Sequence, residues 1–197
     1  MKYLCLDMAI NTAYPVIPLQ QAFPVNQCLF KNTDDEFIWD TAPWLFALDQ
    51  QDFYTAVTDP LITFHHHLVI ESNEGIDFLR EHLQQFLYQQ KDNKTHYYRF
   101  WDARVLLREL PQYSEERLNL FFKDYILAIY LEDGNKDQLL KLSLNNRQLL
   151  QMEKCSRPQV FTPVTAALTT TETTTQEINY PDIQTNTPAK KRRFWTG

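Results

Sequence analysis

Up to about residue 157 the chain alternates short apolar blocks with polar ones, and the block lengths predict strands and helices in mixed order. Tyr3 to Leu6 is an apolar run of strand length. Residues 11–30 contain Pro15, Pro18 and Pro24, so a helix there is broken early. Trp39 to Asp49 reads as a turn leading into a strand, and Phe64 to Ile70 as another strand. Ile76, Leu79, Leu83, Phe86 and Leu87 then recur at helical spacing. Arg80, Glu81, Gln84 and Gln85 take the opposite face, with Asn73 as the expected N-cap.

Asp92-Asn93-Lys94 turns into an aromatic strand, Tyr97 to Trp101. Asp102 is placed to cap a helix over Ala103–Leu110, which Pro111 stops. Ser114 caps the next helix, with Glu115 and Glu116 in its dipole-favoured first turn and Leu118, Phe121, Phe122 and Tyr125 as its buried stripe. Ile126–Leu131 and Leu139–Leu144 flank Glu132-Asp133-Gly134-Asn135 as a hairpin, and Asn146–Lys154 reads as a closing helix. The expected fold class is α/β or α+β, a mixed sheet with packed helices.

The pattern changes near Pro158. Ten threonines with Pro163, Pro181 and Pro188 fill residues 162–188, ending in Lys190-Lys191-Arg192-Arg193-Phe194-Trp195. Such a stretch has too little apolar surface to offset its ordering entropy. The reading is one domain over 1–157 and a disordered, Thr/Pro-rich tail over 158–197 with a basic-aromatic end. That end is either a docking peptide or a solubilising terminus.

Composition narrows the chemistry. The 197 residues include three glycines, and Gly197 is one of them, so no Gly-rich phosphate loop can be written. Cys5, Cys28 and Cys155 form no C-x-x-C pair, which leaves a zinc ribbon or disulfide framework without a basis. The opening apolar run is too short for a signal peptide, and Tyr125–Leu131 falls far short of the roughly 20 residues that span a bilayer. A cytoplasmic protein without membrane contact is expected. The net charge of −6 equals that of residues 1–60, where eight acidic residues face two basic ones. This argues against a nucleic-acid partner; an acidic first third is either a solvated face or one that steers a basic partner.

Candidate chemistry is sparse. His65 and His67 would share a face if they lay in a strand, a spacing that some zinc sites use. A site also needs a third ligand and an outer carboxylate, and nothing diagnostic stands nearby. No nucleophile motif is present, and Asp34-Asp35-Glu36 lies in a polar turn. Tyr97-Tyr98-Arg99-Phe100 looks like a nucleic-acid strand only superficially, because its surroundings are near neutral. Arg99 and Asp102, three apart at a strand-to-helix junction, read as a fold-fixing ion pair. Arg104 and Arg108 lie four apart on one helix face and offer two forks to a partner's carboxylates.

The order of several short motifs then becomes informative. These are Tyr3-Leu4-Cys5-Leu6-Asp7, Ala42-Pro43-Trp44-Leu45 with Leu48-Asp49, Leu68-Val69-Ile70-Glu71-Ser72, Leu79-Arg80-Glu81-His82-Leu83, Tyr98 to Leu106, and Phe121-Phe122. Together they resemble the effector chaperones, or adaptors, of bacterial type VI secretion systems over roughly residues 2–131. The family often has proline where this chain has Ala103, and the Thr-rich tail has no counterpart. The resemblance implies a non-enzymatic cytoplasmic protein without cofactor or metal. Such a protein binds a cognate effector, often through the effector's N-terminal region, and helps load it on the VgrG spike. For that role Trp44 and Trp101 are the expected anchors, and Arg104 and Arg108 the charged rim of an apolar patch. The alternatives are an immunity protein that neutralises a toxin and a metal-dependent hydrolase using His65 and His67.

Overall fold

A computed structural model describes residues 1–11, 14–49, 51–132 and 137–161. Its strands are β1 (Lys2–Asp7), β2 (Asn26–Cys28), β3 (Pro43–Ala47), β4 (Leu68–Ser72), β5 (Tyr88–Lys91), β6 (Lys94–Tyr97), β7 (Ile126–Glu132), β8 (Gln138–Leu144) and β9 (Leu150–Ser156). Its helices are α1 (Met8–Asn11), α2 (Val16–Ala22), α3 (Phe53–Ala56), α4 (Ile76–Gln84), α5 (Ala103–Glu109), α6 (Glu115–Phe122) and α7 (Arg157–Phe161). Seven strands make one sheet in the order β2-β3-β1-β4-β7-β8-β9, and β5-β6 is a separate hairpin. The α+β class expected from the sequence holds. Within it, every strand pairing among the described residues is antiparallel.

The centre of the sheet is covered on both faces. In β1, Tyr3, Cys5 and Asp7 look one way, and Lys2, Leu4 and Leu6 the other. On the first side the Tyr3 hydroxyl donates to the Glu74 carbonyl, just before α4, and Asp7 meets Arg99 and Trp101. On the second, Lys2 Nζ donates to the Val160 carbonyl of α7, and Phe46, opposite Leu4, packs on Phe23 beyond α2. The core runs through both layers, with Leu4, Leu6, Leu45, Phe46, Phe100 and Phe121 fully buried.

Local chemistry fixes several elements as expected. Asp102 caps α5 by accepting from the Arg104 N–H, and Ser114 caps α6 by accepting from the Arg117 N–H. The hairpin strands β7 and β8 pair, while residues 133–136 of its turn lie outside the described residues. The Thr-rich stretch and the basic-aromatic cluster also lie outside them.

Four elements differ from expectation. Residues 64–67 are not strand. Asn11 clamps His65 by accepting from its N–H at 2.7 Å and donating to its carbonyl at 3.2 Å. His66 turns to φ 55° and accepts from the Ala103 N–H. β4 therefore starts at Leu68. Helix α4 starts after Gly75, because the Asn73 side chain donates instead to the Asp124 carbonyl. It ends at Gln84 because the chain from Tyr88 enters a hairpin with Lys94–Tyr97; of the expected aromatic strand only Tyr97 is in β6. The closing helix over Asn146–Lys154 is instead the edge strand β9, turned back on β8 through Asn145, whose carboxamide oxygen accepts from the Arg147 and Leu149 N–H groups.

Candidate functional site

Asp7 closes an otherwise apolar strand, and its buried carboxylate organises the surroundings. Its Oδ2 accepts from Arg99 Nη2 at 2.6 Å and from Trp101 Nε1 at 2.9 Å, while Oδ1 accepts from the Ala9 N–H at 2.9 Å. A charge buried this deeply is tolerated because every bond to it comes from a donor and one donor is cationic. Asn11 ties the same strand end to His65 by donating to the Asp7 carbonyl as well.

The expected Arg99–Asp102 partnership is re-sorted. Arg99 pairs with Asp7, and Asp102 pairs with Arg104 through Arg104 Nε at 3.0 Å and Nη2 at 2.7 Å. Burial works against the charged form of Asp102, but the Arg104 side-chain and backbone bonds outweigh it and hold its carboxyl below the usual range. Both aspartates fix the fold, each through a different arginine.

Beside this network lies a cleft of about 200 Å³ whose walls include Phe30, Ile38, Pro43, Tyr97 and Trp101, with Arg99 as its charged edge. Arg99 is partly exposed and has donors beyond the one given to Asp7. Trp101 is only 3% exposed, edge-on to Phe30 and Phe100, so it forms the floor of the cleft and does not reach out as an anchor. Trp44, 8% exposed, stacks on Phe46 and donates from its indole to the Trp39 carbonyl at 2.8 Å. It lines a neighbouring cleft of about 320 Å³ together with Trp39, Glu36 and Lys31.

Of the two rim arginines, Arg104 is committed to Asp102, and Arg108 is exposed and paired with the adjacent Glu109 at 2.7 Å. The structure thus gathers Arg99, Trp101, Asp102 and Arg104 round one strand end and leaves Trp44 and Arg108 apart. Sequence reasoning missed Asp7, although a single acid ending an apolar run is a visible signal. It also missed Phe37, Ile38 and Trp39, which nothing in their periodicity marks.

The histidines do not share a strand face. His65 is exposed, whereas His67 is buried between Phe53 and Tyr54, with Nδ1 3.0 Å from the Phe64 carbonyl. That acceptor requires Nδ1 to carry the proton, which leaves Nε2 buried without a hydrogen-bond partner. Burial pushes the His67 pKa down to about 4. Among the described residues no group of three or more His, Cys, Asp or Glu is arranged to hold a metal ion, and no helix is long and apolar enough to cross a membrane.

No curated protein and no solved structure matches the chain. A family match does extend over residues 2–120, from β1 into α6; it includes Asp7, Arg99 and Trp101 and stops short of β7–β9. Because that match spans well over half of the chain, this protein belongs to the family described as a domain of unknown function, DUF4123.

Proposed function

We propose that this protein is a carrier without catalytic activity: an effector chaperone, or adaptor, of a type VI secretion system. In this reading it works in the cytoplasm, holds a cognate effector by an extended segment near the effector's N-terminus, and helps load it on the VgrG spike. The observation that carries the reading is the cleft beside Asp7. Its walls are largely aromatic and aliphatic, and its single exposed charge is a guanidinium already oriented by a buried carboxylate. A carrier needs such a balance. Apolar walls shield an aggregation-prone segment, and one oriented fork fixes its register without making release slow. The family membership and the motif order from Tyr3 to Phe122 support the same reading.

The test is co-purification from the native cytoplasm with the whole chain and with Ile38→Asp, which places a carboxylate in the cleft wall. Recovery of a large effector and the spike protein by the parent, with at least tenfold less by a variant of unchanged melting temperature, is the expected result. Recovery of neither by the parent overturns the proposal. Abolition of the effector's toxic activity in vitro by the purified chain would replace the carrier with an immunity protein.

A further inference from the structure

Residues 33–41 form a knuckle between the two clefts, and its backbone is fixed by its own bonds. The Glu36, Ile38, Thr41 and Ala42 N–H groups donate to the carbonyls of Thr33, Asp35, Ile38 and Trp39 in turn, and the Trp44 indole also donates to Trp39. This rigid knuckle holds Phe37 77% exposed and Trp39 48% exposed. Tyr88 and Tyr97 extend the aromatic surface. The Tyr88 hydroxyl donates to Asp35, the two tyrosine rings lie 5.5 Å apart, and Tyr97 stacks on Phe30 at 5.9 Å. Asp34, Asp35, Glu36 and Asp40 flank Phe37 and Trp39 in sequence, Asp35 touching the ring cluster through Tyr88, and Lys31 is the one basic residue between positions 31 and 41.

Phe37 has no folding role that burial would reveal, yet the knuckle is built to present it. Exposed rings lower the free energy of the surface only when something covers them. Carboxylates placed beside rings select the covering group. A guanidinium or ammonium pairs with the acid and lies over the ring face, whereas a neutral apolar segment only covers the ring and an acidic one is repelled by both.

We infer that the knuckle over 33–41, with Tyr88 and Tyr97, is a docking surface for a segment of a partner protein that carries arginine or lysine beside an aromatic or aliphatic side chain. The choice of occupant rests on charge complementarity: residues 33–41 hold four carboxylates and no basic residue, and Arg99, the cation beside them in the cleft, is paired with Asp7. The inference deepens the carrier reading by naming the chemistry of the segment carried, and it rests on that reading. The knuckle also forms one wall of the cleft proposed for the cargo, through Ile38 and Thr41, so a single extended segment can lie across both.

The experiment follows Trp fluorescence of the whole chain during titration with a synthetic peptide that interleaves arginine and phenylalanine. A control peptide has glutamate in place of arginine. The variants are Phe37→Ser and the triple change Asp34→Asn, Glu36→Gln, Asp40→Asn, all at exposed positions, with the circular-dichroism melt as a check of folding.

Binding of the basic peptide, weakened about tenfold by either variant and by raising salt, is expected from two or three exposed charge and ring contacts. Equal binding of the acidic peptide, or unchanged affinity in both variants, overturns the docking surface. Self-association that the same variants abolish also overturns it, by assigning the surface to a second copy. The two proposals fail separately. If the triple variant loses the peptide but still co-purifies with the effector and the spike, the knuckle does not hold the cargo and the carrier reading stands. If the parent binds the peptide but recovers no effector, the carrier reading falls and the surface chemistry stands.

Discussion

In β1 and β3 every residue from Tyr3 to Asp7 and from Pro43 to Ala47 is buried, whereas β9, hydrogen-bonded into the same sheet, has no buried residue. A strand covered on both faces has to be apolar throughout, so it reads as a continuous run and advertises itself in the sequence. A strand with open faces at the sheet edge is under no such pressure. Leu150, Gln151, Met152, Glu153 and Lys154 satisfy a strand and an amphipathic helix equally, and pairing with β8 decides between them. The family match follows a different line: it takes in β1–β4, the edge strand β2 included, and ends before β7, which is largely buried. The covered half fixes Asp7, and with it the candidate site.

The largest expected effect tests the covered half directly. Phe46→Ala, at a fully buried ring, is expected to destabilise by about 3–5 kcal/mol in urea unfolding. A value near that for an exposed ring would mean the second face is open.

Next comes Asp7→Asn, which keeps the size but removes the counter-charge for Arg99 and turns one acceptor oxygen into an NH2 facing a donor. Because Arg99 is partly solvated, the expected cost is about 1–3 kcal/mol. Loss of effector co-purification beyond what the melt explains would sharpen the assignment of this strand end to the site.

Acid reaches the covered half as well. Burial lowers the pKa values of both His67 and His82, so the unfolded chain takes up protons near pH 6.5 while the folded chain resists. Stability is therefore whole above pH 6.5 and falls as pH drops toward about 4, where His67 titrates in the folded state. His67→Phe should flatten that part of the melting-temperature profile, and an unchanged slope would remove His67 from the account.

The smallest effect belongs to β9. Met152→Ala, at a side chain 52% exposed, should change stability by less than about 0.5 kcal/mol. Lys141→Ala, which breaks a pair with Glu153 whose partners are both solvated, should do little more. A large value at either position would show that something covers this end of the sheet.

Much of the fold was legible wherever the cause was local. Capping by Asp102 and Ser114, the apolar runs of β1 and β3, and the stripe of α4 each depend on a few neighbouring residues. What escaped depends on distant partners. The apolar Phe64–Ile70 run is bent away from strand geometry by Asn11, 54 positions from His65, and by the amide of Ala103. The site divides similarly. Arg99, Trp101, Asp102 and Arg104 were each singled out but under other partnerships, Arg99 with Asp102, Trp101 with Trp44 and Arg104 with Arg108, because the bond from Arg99 to Asp7 spans 92 residues and leaves no periodic trace. The two tryptophans were expected as anchors of an exposed apolar patch, and their apolar bulk instead sends them into the core.

Among the described residues no strand pairs with the outer edge of β9, and this bears on the life of the chain before and after folding. A seven-residue edge strand presents a backbone template to a second copy, which is how sheets grow into fibres. Two such edges meeting antiparallel, with their pleats in phase, overlap most fully when centred on Glu153, and two carboxylates then face each other. Centring the pair on Lys154 instead opposes two ammonium groups. The charges that make β9 unremarkable in the sequence thus act as gatekeepers against aggregation. Replacing Glu153 and Lys154 by threonine would leave the monomer's stability nearly intact and lower the concentration at which the protein precipitates.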